Sequence, residues 1–313
     1  MEKRRARFPL AEWMMKILAL FGIVVILFIF IFVFMEAAPV IRNSGIGLLT
    51  RTGFDRQISE AFYAPASEPA LTFGLAGLAA GTLLSTLLAL AAAGILGVGS
   101  AIAICEYAPG KISVILLSVV RLLASIPSVV FGLIGVMLVA PWIEDTFITV
   151  DMQIEFLEFF QMTGRNLLAS ALVLSFMIVP MVITLASDAL SAVPAELKEV
   201  GYAFGMGHFR VITQIILPEA RPGIAAGLIL GAGRGIGESI AVSMVCGGIG
   251  MLPRVSHGAA ALFTPILPLS AAIVNKSEAM SVPAVTSALF ACGAVLLLMG
   301  AGLSLAARVF SRR

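Results

Sequence analysis

The segment PAELKEVGYAFGMGHFRVITQIILP, residues 194–218, carries Glu196, Lys198, Glu199, His208 and Arg210 between two long apolar runs. Pro194 suits the first turn of a helix, where a missing N–H costs nothing. Leu197, Val200 and Phe204 follow at helical spacing, and Gly205 and Gly207 offer C-terminal stops. Val211, Ile212, Ile215 and Ile216 then form one side of a second amphipathic turn, closed by Leu217-Pro218. The segment reads as helix, glycine turn, helix. It is too polar to cross a bilayer and is held at its surface by the flanking runs. An ordinary interfacial loop has the same local chemistry, so the rest of the chain must decide.

Of 313 residues, 60% are hydrophobic and 12% charged, and the mean hydropathy is +1.06. Soluble domains do not have this composition. A net charge of +2 points to no class of partner, and no basic cluster interleaved with aromatics supports nucleic-acid binding. Cys105, Cys246 and Cys292 stand singly, and His208 and His257 are far apart, so neither a metal centre nor a catalytic cluster is indicated. No G-x4-G-K-[ST] occurs, so the chain has no P-loop for ATP.

Lys3, Arg4, Arg5 and Arg7 precede an uncharged run over 17–35. A signal peptide has an apolar core of about 7–15 residues; this run is long enough to cross hydrocarbon as a helix. Further spans are expected over 77–104, 112–139, 167–186, 223–245 and 283–307. Segment 36–76 is polar enough to lie outside the membrane, as does the acidic loop 141–165. Pro253, Pro265 and Pro268 within 247–282 point to a short re-entrant or gate-like helix on that same side. With residues 1–16, the 106–111 turn, the 188–222 loop and residues 308–313 in the cytoplasm, twelve of the 20 lysines and arginines fall inside and six outside. That satisfies the positive-inside rule. The expectation is an all-α protein with six transmembrane helices and both termini cytoplasmic.

Two charges interrupt the fifth span. Arg234 and Glu238 lie four residues apart in GIAAGLILGAGRGIGESIAVSMV, residues 223–245. Each costs roughly 2.5–3.5 kcal/mol at a helix centre. An i,i+4 salt bridge would explain them structurally; a water-filled anion passage would explain them functionally, since a guanidinium donates two parallel hydrogen bonds to an oxyanion. In the second case Glu238 would orient Arg234. Gly223, Gly227, Gly231 and Gly235 form a small-residue row for close helix packing. Gly233 and Gly237 lie off that row and suggest local unwinding beside a cavity.

Glu199, Gly205, Ile215, Leu217 and Pro218 fall on the pattern E-A-A-x3-G-x9-I-x-L-P, so the 194–218 segment resembles the EAA loop of ABC-importer permeases. Val200 and Gly201 replace the family's alanines, and Gly201 softens the helix by roughly 1 kcal/mol relative to alanine. GRGIGESIAVSMVCGG, residues 233–248, is similar to the corresponding motif of the phosphate ABC-transporter permease of PstC type. The Ala241-Val242 continuation favours that subunit over its PstA-type sister. Gly81-Thr82-Leu83, Glu106-Tyr107-Ala108-Pro109 and IPSVVFG at 126–132 extend the similarity from residue 36 to the sixth span.

The resemblance implies a type I ABC-importer permease fold over 17–307 and import of inorganic phosphate across a bacterial inner membrane. It implies a PstA-type permease subunit, a cytoplasmic ATPase dimer and an external phosphate-binding protein as partners, beside membrane lipid. ATP and Mg would be bound by the ATPase, with no cofactor and no catalysis on this chain. Arg234 and Glu238 would line the substrate pathway. Glu196, Glu199, Gly205, Leu217 and Pro218 would belong to the ATPase-coupling loop. Arg121 stands where the family is usually acidic; it is either a further pathway residue or a snorkelling arginine near the cytoplasmic end. A permease for another oxyanion such as sulfate or molybdate would look the same. An ion-driven secondary transporter, a membrane-embedded enzyme and a signalling scaffold are the remaining alternatives.

Overall fold

The computed structural model describes residues 9–65, 69–253 and 255–311. Lys3, Arg4, Arg5, Arg7, Arg254, Arg312 and Arg313, which enter the charge count above, lie outside the described residues. Helix α1 (Pro9–Ser44) runs past Glu36 and through Pro39 before it stops at Gly45, whose φ of +53° ends the helix without a Cβ clash. Short helices α2 (Gly47–Thr50) and α3 (Phe54–Tyr63) come next. Helix α4 (Ala76–Ile102) continues through a π turn, Ala103–Tyr107, to the stop at Pro109.

Where one span was expected over 112–139, the structure has two helices. Helix α5 (Gly110–Ala124) ends ahead of Pro127, which has no N–H to donate and disfavours helical geometry at Ile126. At 15 residues α5 is about 22 Å long, short of the ~30 Å hydrocarbon thickness. Helix α6 (Ser128–Ile134), a π turn (Gly135–Val139) and α7 (Ala140–Phe147) form the spanning rod instead. Glu144 and Asp145 thus ride on a helix rather than in a loop. Helix α8 (Val150–Phe156) lies beyond them.

Helix α9 (Leu167–Ser191) is the centre of the bundle. Asn166 caps it by accepting the Ala169 N–H at 3.0 Å. Leu174, Ile178, Val182, Ala186 and Leu190 are all buried along it. Helices α10 (Ala195–Ala203) and α11 (His208–Val211) form the hairpin of the 194–218 segment. Leu217-Pro218 does not close this segment. A π turn, Ile212–Ile216, lets the Leu217 N–H reach the Ile212 carbonyl, and the widened turn accommodates the proline ring. The helix therefore continues as α12 (Leu217–Gly237).

Beyond it come α13 (Ile240–Val245), a 3₁₀ segment (Val255–Phe263), α14 (Leu269–Asn275), a second 3₁₀ turn (Ser277–Ser281) and α15 (Pro283–Ser311). Helix α14 is the short helix expected within 247–282. It is set into the bundle, with Leu269, Ser270, Ala271 and Ala272 buried. Among the described residues, six helical segments are long and apolar enough to cross a membrane: Glu12–Ser44, Ala76–Tyr107, Ser128–Phe147, Leu167–Ser191, His208–Gly237 and Pro283–Ala306.

Helices α4 and α12 flank α9, and α15 packs on α12, α14 and α1. The glycine row of α12 lies against α9. A Cβ on Gly223 would sit 2.5 Å from that of Ala189, and one on Gly231 would sit 2.8 Å from Ile178 Cγ2. Close backbone approach is the packing gain open to helices in lipid, which is no less apolar than their side chains. Apolar side chains on the outer faces of α1 and α5, such as Phe28 and Ile115, are accordingly exposed.

Candidate functional site

Helix α12 ends inside the bundle. Gly237 is its last residue, and Glu238 is extended (φ −72°, ψ 117°) before α13 begins. The break separates Arg234 from Glu238, and no ion pair forms between them. An i,i+4 contact requires unbroken helix, so the expected orientation of Arg234 by Glu238 is absent. The Glu238 carboxylate instead accepts the Ala241 N–H at 3.2 Å and caps α13, while its carbonyl accepts the Ser270 hydroxyl at 2.8 Å. The Leu269 N–H donates to Thr82 Oγ1 at 2.9 Å. The break is thereby fixed to α14 and α4.

Arg234 is half-buried and has no hydrogen-bond or ion-pair partner among the described residues. It lines a cleft of about 890 Å³ between α1, α12 and α15, together with Gly233, Gly237, Phe30 and Ser304. The negative end of the α12 dipole favours a cation there. Gly237 has open space where a Cβ would stand and Gly233 meets only Leu303, so the two off-row glycines keep the cleft wall low.

Arg121 lies elsewhere. It pairs with Asp188 at 3.4 Å, both side chains more than half exposed, which contributes little to stability. Gly235, next to Arg234, packs at the level of Ile178; Asp188 is ten residues further along α9, about 15 Å. The pair sits at the end of α9 that enters the hairpin.

The hairpin turns at Gly205 (φ +75°) in a Schellman arrangement. The Met206 N–H donates to the Gly201 carbonyl at 3.1 Å and the Gly205 N–H to the Tyr202 carbonyl at 2.9 Å. Gly201 faces inward, where an added Cβ would be 2.6 Å from Ile215 Cδ1. The departure from alanine at this position thus accompanies a closer approach of Ile215. Leu197, Val200, Phe204 and Phe209 face outward and are exposed, as are Glu196 and Glu199. Their helical spacing marked a face but not its direction. Leu217 and Pro218 line a groove of about 390 Å³ with Val98, Thr213, Arg221 and Ile224.

One group escaped the sequence reading. Lys198 Nζ meets Glu106 Oε1 at 2.8 Å, with the glutamate side chain 7% exposed. His208 bridges the Tyr202 hydroxyl at 2.7 Å and the Glu106 carbonyl at 3.1 Å. Glu106 lies in the Glu106-Tyr107-Ala108-Pro109 match, but no local pattern points to a partner 92 residues away.

A bundle of six membrane-crossing helices, with a charged break in one span and a polar two-helix hairpin leading into it, defines the permease fold of type I ABC importers. Solved structures agree. The chain aligns with a chain of the bacterial alginate ABC transporter at TM-score 0.58 and 15% identity, over 97% of this chain and 95% of that one. It aligns with a chain of the MetNI methionine ABC transporter at TM-score 0.51 and 16% identity, over 74% and 92%.

The family model described as "binding-protein-dependent transport system inner membrane component" matches residues 93–313, and the chain belongs to that family. It is 32% identical to the phosphate transport system permease protein PstC of Mesorhizobium japonicum over 79% of this chain and 75% of the relative. It is 32% identical to the probable ABC transporter permease protein YqgH of Bacillus subtilis over 74% and 70%. With the phosphate transport system permease protein PstC 1 of Mycobacterium tuberculosis it shares 30% identity over 97% and 93%. The chain is a multi-pass membrane permease subunit.

Proposed function

We propose that this chain is the PstC-type permease subunit of an ATP-driven importer of inorganic phosphate. The observation that carries the substrate is the similarity, over most of the chain, to relatives named as phosphate permeases. The guanidinium of Arg234, beside a helix break and without a partner among the described residues, has the chemistry such a substrate needs. Arg234 attracts the anion, and Glu238 disfavours oxyanions that carry no proton to donate. The partners are a PstA-type subunit, a cytoplasmic ATPase dimer that binds ATP and Mg, and an external phosphate-binding protein. The chain itself catalyses no reaction. Both termini and the hairpin face the cytoplasm. ATP-driven motion of the ATPases moves the hairpin and rocks the spans between outward- and inward-open states.

The test is uptake of labelled phosphate into vesicles holding the complete complex, with sulfate and molybdate as competitors. ATP-dependent phosphate uptake that a tenfold excess of either competitor leaves largely intact is expected, which requires a preference of about a hundredfold, roughly 2.7 kcal/mol in relative affinity. Uptake of sulfate or molybdate in place of phosphate overturns the substrate; uptake without an ATPase overturns the class.

A further inference from the structure

The Glu106-Tyr107-Ala108-Pro109 corner has no part in the passage or in the exposed face of the hairpin, yet the structure gives it a dense set of contacts. Helix α4 reaches it through the π turn Ala103–Tyr107, in which the Ala108 N–H donates to the Ala103 carbonyl at 3.1 Å. The extra residue of a π turn rotates the downstream chain by roughly a quarter turn relative to an α-helix. Both the side chain and the carbonyl of Glu106 engage the hairpin.

Both arms of the hairpin hold this one residue. Helix α10 supplies Lys198, whose Nζ is 2.8 Å from Glu106 Oε1. Helix α11 supplies His208, whose Nε2 is 3.1 Å from the Glu106 carbonyl oxygen. A carbonyl can only accept, so Nε2 carries a proton, and in the neutral ring Nδ1 accepts from the Tyr202 hydroxyl at 2.7 Å. The Tyr107 ring closes the set edge-on to His208, with centroids 5.1 Å apart. The apolar side chains Leu197, Val200, Phe204 and Phe209 remain exposed and take no part. From Glu106, α4 runs back along α9 and α12, and its Thr86 packs at Gly235, next to Arg234.

We propose that Glu106, gripped by Lys198 and His208, is the joint through which movement of the hairpin is transmitted to α4 and so to the passage. Lys198, His208 and Glu106 are positioning residues. They do not touch the anion or the nucleotide. They fix the α4–α5 corner to the hairpin so that the two move as one body. This inference rests on the proposed coupling role of the hairpin.

The complete complex, with its ATPase and binding protein in vesicles, tests it through the amount of phosphate imported per ATP hydrolysed. Glu106→Lys and Lys198→Glu should each leave ATPase subunits bound and ATP hydrolysis within about twofold, while imported phosphate per ATP falls about tenfold; the double exchange E106K/K198E should recover most of that loss. His208→Phe keeps the ring edge but not the donor, and should lower the ratio about threefold in a normally inserted chain. An unchanged ratio in the single exchanges, or no recovery in the double one, overturns the joint. Loss of the ATPase subunits from the single variants also overturns it, because the contacts would then only shape the docking surface. A wild-type complex that imports no phosphate refutes the proposed substrate instead; the ratio is then measured with the anion it does import.

Discussion

Arg234 holds a charge at the edge of an open cleft with no partner among the described residues, and under the proposed function an anionic ligand would supply the missing acceptors. Arg234→Gln should abolish phosphate uptake while leaving insertion and ATPase binding intact. Normal uptake by that variant in vesicles would leave the residue with a structural role only. Glu238 has two separable properties, a charge and a capping oxygen. Glu238→Gln keeps an acceptor for the Ala241 N–H and should reduce uptake and narrow the preference over sulfate. Glu238→Ala removes the cap as well and should destabilise the chain by about 1 kcal/mol more, read from its thermal unfolding in detergent. The two charges were visible in the sequence because ionised groups in a 23-residue apolar run have few explanations. Their failure to pair was not. It stems from the end of the helix at Gly237; the off-row glycines Gly233 and Gly237 point to local unwinding, but not to which of the two stops the helix.

Helix α10 and its C-cap Phe204 present Glu196, Glu199, Leu197 and Val200 with the Phe204 ring on a surface that nothing among the described residues covers. If this is the ATPase-docking face, Glu199→Arg should prevent co-purification of the ATPase while the chain still inserts. Phe204→Ser should weaken it by a large factor, since a buried aromatic anchor contributes on the order of 2 kcal/mol or more at an interface. Retention of the ATPase at the wild-type level in both would place docking elsewhere. The glycine row of α12 gives a contrasting pair. Gly223→Ala puts a methyl 2.5 Å from the Ala189 Cβ, which cannot rotate away, and should destabilise the bundle by about 1–3 kcal/mol. Gly237→Ala meets open space and should be tolerated. Span number and the helical hairpin were legible because apolar length and 3.6-residue spacing are local properties. The split at Pro127 and the continuation through Pro218 were harder to see. A proline breaks a helix in one case and is absorbed by a π turn in the other, and the difference lies in the backbone of the preceding turn.

The bundle has two ends, and assigning them to the two faces of the membrane rests on charge. Lys111, Lys198, Arg210 and Arg221 gather at the end that holds the hairpin, whereas Glu144, Asp145, Asp151, Glu155 and Glu158 lie at or beyond the far end of the Ser128–Phe147 rod. Cationic loops are retained on the cytoplasmic side, so the hairpin is expected there and the acidic α7–α8 region outside. Ser191, the last residue of α9, and Glu158, just past α8, are both exposed and suit labelling. Cys246 and Cys292 are buried and Cys105 is partly so, which makes Cys105→Ser a sufficient background. In intact cells, an impermeant thiol reagent should label the Glu158→Cys variant and leave the Ser191→Cys variant unlabelled until the cells are opened. Labelling of Ser191→Cys alone from outside would invert the topology, put the hairpin out of reach of any cytoplasmic ATPase, and remove the basis for coupling through Glu106.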